Sequence, residues 1–143
     1  MRKKILAIAL ATLALASVQI AETQQTAKVR RIGLLSGGLR GPTLEAFRQG
    51  LRELGYIEGQ NIIIEYRFAQ GKEDRLLDLA AELVRLKVDV IVTPSTLEAL
   101  AAQQATRAIP VVMAASSDPV GTGLVASLAR PGGNITGLAV MSP

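Results

Sequence analysis

The sequence predicts an α/β fold, a doubly wound parallel sheet of five strands in the order 2-1-3-4-5. Three observations predict it. Segments of strand period alternate with segments of helical period from residue 29 to residue 140, the pattern of right-handed β-α-β crossovers. Residues 88–92 and 109–113 are near-continuous apolar runs, as strands covered on both faces should be. Residues 61–67 instead alternate and carry Glu65 and Arg67, which suits an edge.

The first strand covers residues 29–35 and ends in Ser36-Gly37-Gly38. A helix follows Pro42, with Leu44, Phe47, Leu51 and Leu54 at helical spacing and Gly55 where a C-terminal cap belongs. In the second strand Ile62, Ile64 and Tyr66 point one way, and Ile63, Glu65 and Arg67 the other. Residues 73–86 form an amphipathic helix, with Leu76, Leu79, Leu83 and Leu86 inward; Arg75, Asp78, Glu82 and Arg85 are expected as solvated surface charge.

The third strand, 88–92, leads to Thr93-Pro94-Ser95-Thr96-Leu97-Glu98, where Ser95 and Glu98 have capping-box spacing. A third helix is therefore expected from Thr96 through Leu97, Leu100, Ala101 and Ala105 to about Arg107. The fourth strand, 109–113, ends in Ala114-Ala115-Ser116-Ser117-Asp118-Pro119. Asp118 before Pro119 reads as a helix start. It predicts a fourth helix over 120–129, broken at Arg130-Pro131-Gly132-Gly133-Asn134, before a fifth strand over 135–140.

Composition narrows the chemistry. The 143 residues include no Cys and no His, so disulfides, thiol chemistry and Ser-His-Asp or Cys-His catalysis are excluded, and no metal site is expected. The net charge of +4 carries no nucleic-acid argument. Three of the basic residues, Arg2, Lys3 and Lys4, precede an apolar run of fourteen residues, 5–18, in the layout of an export signal. Residues 1–21 are read as that signal, with cut points at Ala16, Ala21 or Ala27, and residues 22–28 as a flexible lead-in. Without the signal, thirteen basic residues face twelve acidic ones, so no nucleic-acid partner is expected. Fourteen apolar residues fall short of the roughly twenty that span a bilayer, and an extracytoplasmic, periplasmic address follows from the signal.

The strand order places a topological switch between strands one and three, and ligands of open α/β sheets bind there, beyond the carboxyl ends of the strands. The facing segments supply the candidate binding residues: Ser36 and Gly37; Thr93, Pro94, Ser95 and Thr96; Ser116, Ser117 and Asp118. Glycine lets backbone amides approach a ligand. The hydroxyls at 93–96 stand at a helix N-terminus, whose free amides and dipole attract an anion such as a carboxylate. Asp118 caps a helix or receives a ligand ammonium, and its two oxygens allow both.

Two motifs are set aside. Gly121-Thr122-Gly123-Leu124-Val125-Ala126 fits a loose dinucleotide fingerprint but does not follow the first strand, and no acid follows Asp118 to hold a ribose. Asn134-Ile135-Thr136 matches a glycosylation acceptor on three residues only. No catalytic constellation emerges, no cofactor is expected, and a binding protein explains the loops better than an enzyme does.

The stretch Asp118-Pro119-Val120-Gly121-Thr122-Gly123-Leu124-Val125-Ala126-Ser127-Leu128-Ala129-Arg130-Pro131-Gly132-Gly133-Asn134-Ile135-Thr136-Gly137 resembles a signature of the ABC transporter substrate-binding protein family often described as tryptophan/tyrosine transport binding proteins. Gly50-Leu51-Arg52-Glu53-Leu54-Gly55-Tyr56, then Glu58-Gly59-Gln60-Asn61, and Ala80-Ala81-Glu82-Leu83-Val84 ahead of 88–92, agree in order and spacing. The likeness covers residues 29–140. It implies a type I periplasmic-binding-protein fold, in which two doubly wound lobes close on a small solute, an aromatic or other amino acid, and hand it to an ABC permease in the membrane. Its ligand-facing positions in the first lobe would be Ser36, Gly37, 93–96 and 116–118, the loops chosen from topology.

The sequence ends at Pro143, about where that fold crosses to its second lobe. Residues 29–143 are therefore expected to be an N-terminal lobe without its partner, whether as a fragment, a truncated copy or a genuine single lobe. Such a lobe should bind a free amino acid with a Kd of about millimolar or weaker, because a small ligand is normally buried over roughly 70–90% of its surface and one lobe supplies about half of that. Two other classes fit the strand order: a flavodoxin-like or nucleotide-binding domain with a phosphate at 36–41, and an extracytoplasmic sensory module that binds a receptor.

Overall fold

A computed structural model describes residues 28–38 and 41–140. The expected export signal and all of the lead-in except Lys28 lie outside the described residues, as do Leu39 and Arg40. The elements are β1 (Arg30–Ser36), α1 (Pro42–Glu53), β2 (Ile62–Phe68), a 3-10 turn (Glu73–Arg75), α2 (Leu76–Arg85), β3 (Val90–Thr93), α3 (Thr96–Ala105), β4 (Val111–Ser116) and β5 (Ile135–Ala139). The five strands form one sheet in the order β2-β1-β3-β4-β5, and every neighbouring pair is parallel. The expected fold class is the observed one.

The register sorts the sheet into two faces. Ile32 pairs with Val90 and Leu34 with Val92, and these side chains join Ile62 and Ile64 in a cluster that packs against Leu44, Phe47 and Leu51 of α1. The opposite face carries Leu35, Ile91, Val111, Met113 and Ile135, which pack on Leu79 and Leu83 of α2 and Ala99 and Ala102 of α3. Leu35, Leu83, Ile91 and Val111 are fully buried, each worth about 2 kcal/mol relative to exposure.

Helix α1 ends as its sequence predicts. Gly55 N–H reaches Arg52 O at 2.9 Å and Tyr56 N–H reaches Leu51 O at 2.8 Å, the paired bonds that satisfy the last free carbonyls in a Schellman motif. Helix α3 stops at Ala105, short of Arg107, because the Thr106 hydroxyl accepts the N–H groups of Ala108 and Ile109 at 3.2 and 3.1 Å. That turn competes with another helical residue.

One expectation is corrected. Residues 120–129 form no helix: the segment is a series of turns. Gly123 adopts φ 74°, and its N–H bonds Val120 O while Val125 N–H returns to Pro119 O and Ala126 N–H to Pro131 O. The apolar spacing that suggested a helix instead buries Leu124 and Val125 against the helix layer while Leu128 is exposed. Two glycines in three residues cost about 2 kcal/mol of helix propensity, enough to lose to a turn.

Glu82 stays at the surface, 42% exposed, and reaches beyond its own helix: Arg67 Nε lies 2.7 Å from its carboxylate. Arg67 also approaches Glu65, and Glu65 meets Arg31 at 3.3 Å, so the charged side of the edge strand β2 is closed by ion pairs to β1 and α2. Such charges discourage another chain from adding to the edge.

Candidate functional site

Ser36 to Gly38, Thr93 to Thr96 and Ser116 to Asp118 all follow the carboxyl ends of β1, β3 and β4, three adjacent strands of the sheet. Hydrogen bonds tie these segments to one another. The Gly37 N–H donates to Glu98 Oε1 at 2.8 Å, and the Ser95 hydroxyl donates to Glu98 Oε2. Thr96 Oγ1 and Ser116 Oγ lie 2.8 Å apart. The β1 turn is thus joined to the start of α3, and the start of α3 to the end of β4.

The candidates differ in exposure. Ser36, Thr93 and Ser116 are buried, whereas Ser95, Ser117 and Asp118 are exposed and Gly37, Pro94 and Thr96 are half-buried. Ser36 Oγ accepts the Gly38 N–H at 3.2 Å and shapes the first turn. Thr93 Oγ1 is buried without a hydrogen-bond partner among the described residues, an uncommon state for a buried hydroxyl.

The capping box at Ser95 is not formed in its usual sense. No side chain caps α3: the Ser95 hydroxyl gives its proton to Glu98 instead of accepting a backbone N–H. The amides of the first turn of α3 therefore have no side-chain acceptor, and together with the helix dipole they favour an anion. Asp118 caps no helix, but its Oδ1 accepts the Gly121 N–H at 2.7 Å and its carbonyl accepts the Thr122 hydroxyl at 2.7 Å. It terminates β4 with a tight turn and keeps its carboxylate at the exposed rim.

Glu98 is the residue that the sequence reading missed. Capping-box spacing explained it locally, yet it is only 6% exposed and lies on the buried side of α3 with Ala99, Ala101 and Ala102. The signal was an acid four residues before Ala102 on the small-residue face of the helix, whereas Leu97 is 42% exposed. The glycosylation motif resolves differently. Asn134 Nδ2 donates to Thr106 O at 3.2 Å and Ile109 O at 2.7 Å, pinning the start of β5 to the α3–β4 loop. Among the described residues no group of three or more acidic side chains is arranged to hold a metal ion, and no helix is long and apolar enough to cross a membrane.

The family model described as ABC transporter substrate binding protein matches residues 28–143. The chain belongs to this family. It is 40% identical over 114 residues to the tyrosine-binding protein of Clostridioides difficile strain R20291, covering 77% of this chain and 33% of that protein. Among solved structures it resembles a conserved domain protein from Vibrio cholerae, with TM-score 0.72 and 39% identity over 81% of this chain and 40% of the other. It also resembles an ABC domain from Streptococcus pneumoniae in complex with L-Trp, with TM-score 0.70 and 33% identity over 80% of this chain and 39% of the other. The chain thus spans 33–40% of the length of these relatives. Its family members are binding proteins by description rather than enzymes.

Proposed function

We propose that this chain is the first lobe of an extracytoplasmic solute receptor for an ABC importer. It captures a small amino acid in the crevice beyond β1, β3 and β4, against a second lobe, and delivers it to a membrane permease. An aromatic amino acid is the leading solute class, supported by the tyrosine-binding relative and by the relative solved with L-Trp. The observation that carries the reading is the uncapped first turn of α3, with hydroxyls and the Asp118 carboxylate at the ends of neighbouring strands. Those groups match a zwitterion: amides for the carboxylate, acceptor oxygens for the ammonium.

The flavodoxin-like alternative needs the β1 turn to cradle a phosphate. The Gly37 N–H is instead occupied by the Glu98 carboxylate at 2.8 Å, so this amide is not available to cradle a phosphate.

Calorimetric titration with L-tryptophan, L-tyrosine and flavin mononucleotide tests the reading. The expected outcome is amino-acid binding with a Kd of about millimolar or weaker and no flavin binding. Micromolar flavin binding without amino-acid binding would refute it. Export is tested by intact mass from the envelope fraction: removal of the leader lowers the 15.1 kDa chain by about 2 kDa.

A further inference from the structure

We propose that Glu98 is the positioning residue of this crevice, holding the β1 turn against the start of α3 and making the Ser95 hydroxyl an acceptor toward the solute. The inference rests on the reading of the crevice as the solute site and adds a source of selectivity to it. A buried carboxylate is costly unless its oxygens are satisfied, and both of these are. Oε1 takes the Gly37 N–H at 2.8 Å and Oε2 takes the Ser95 hydroxyl. A side chain at position 37 would disturb the first contact, because a Cβ there would lie 3.2 Å from Oε1.

Proton accounting at Ser95 gives the chemical consequence. A serine hydroxyl has one hydrogen and two lone pairs. With that hydrogen directed to Glu98, the hydroxyl oxygen of the exposed residue Ser95 offers a solute only lone pairs. The neighbouring amides of α3 offer only N–H groups, with no side chain capping them. Donors and acceptors are therefore segregated across one turn of chain. A solute with a carboxylate and an adjacent ammonium satisfies both, while a plain carboxylic acid leaves the Ser95 lone pairs unmatched. Glu98 thus selects for an α-amino acid without touching it.

The variant that isolates this role is Glu98→Gln. Its amide oxygen still accepts the Gly37 N–H, while its NH2 donates to Ser95 and turns the hydroxyl hydrogen outward. Ligand-observed NMR on the 143-residue chain compares L-tryptophan with indole-3-propionate, which has the same ring and carboxylate but no ammonium. The wild type is expected to favour L-tryptophan, and E98Q to reduce that preference about tenfold, because the freed hydroxyl hydrogen then also satisfies a plain carboxylate while one lone pair remains for the ammonium. Ser95→Ala, which leaves the Gly37–Glu98 bond in place, is expected to reduce it similarly. Equal weakening of both ligands in both variants would mean that Glu98 acts only on the fold, and would overturn the proposal. A preference unchanged in both variants would overturn it as well, with the crevice reading intact. A folded wild type that binds neither ligand would overturn the crevice reading and the selectivity drawn from it together.

Discussion

The Asp118 carboxylate lies directly over the Cα of Gly121: its Oδ1 accepts the Gly121 N–H at 2.7 Å, and a Cβ on residue 121 would lie 2.0 Å from Oδ2. A side chain at 121 and the turn that ends β4 are therefore mutually exclusive. Gly137 is confined more severely, since a Cβ there would meet the Met113 carbonyl oxygen at 2.0 Å, and its φ is 150°. Gly121→Ala should cost about 1–2 kcal/mol, because a short side chain can swing away at the expense of its hydrogen bond. Gly137→Ala should cost about 3 kcal/mol or more, because the obstacle is the backbone of the adjacent strand. Urea denaturation of the two variants checks the order; equal losses would contradict it.

Asp89 joins the starts of β1 and β3. It accepts the Arg31 N–H at 2.8 Å and pairs with Lys28 at 3.1 Å, and these hold its carboxyl below the ordinary value of 3.8. Glu45 is likewise held below its ordinary 4.5, chiefly by its hydrogen bond from Arg52. A depressed folded-state pKa stabilises the fold above the unfolded value and ceases to do so as the pH falls through the folded one. The chain should therefore lose stability as the pH drops below about 4. Asp89→Asn should flatten that acid limb, and melting curves from pH 7 to pH 2.5 would show it. An acid limb identical in the variant would contradict the assignment.

Asn134 satisfies two carbonyls, Thr106 O and Ile109 O. Asn134→Ala leaves both without this donor in a part-buried loop, with an expected loss of about 1–3 kcal/mol. Thr136→Ala abolishes the glycosylation motif but leaves the Asn134 amide in place, and should stay within about 0.5 kcal/mol of the wild type on an exposed strand position. Denaturation midpoints separate the two roles. Comparable losses in both variants would contradict the structural one.

How much of this was legible in the sequence depended on whether the signal was local and periodic. The five strands, their order and most of the inward faces of α1 and α2 followed from period and apolar runs, because burial on a sheet or a helix imposes those periods directly; Leu54, at the same spacing, is instead 75% exposed past the end of α1. Residues 120–129 misled because Leu124 and Val125 have the apolar character of a helical stripe, while the glycine conformation at Gly123 and the Asp118–Gly121 bond decide the backbone. Arg67 and Glu82, fifteen residues apart, meet only because α2 crosses the sheet beside β2. The candidate loops were legible from topology, since the switch point depends on strand order alone. Glu98 was not, because Ser95 and Glu98 at capping spacing have a sufficient local explanation. The partner that changes its meaning, Gly37, is sixty-one residues away.

The central claim, that the crevice beyond β1, β3 and β4 is the solute site, is tested most directly by assigning the backbone amides and titrating with L-tryptophan. The largest shifts are predicted at Gly37, Ser95 to Glu98 and Ser116 to Asp118, saturating with one Kd of about millimolar or weaker. Shifts centred elsewhere, such as around Arg48, Tyr56 and Glu58 at the far end of α1, with the crevice amides unmoved, would contradict it.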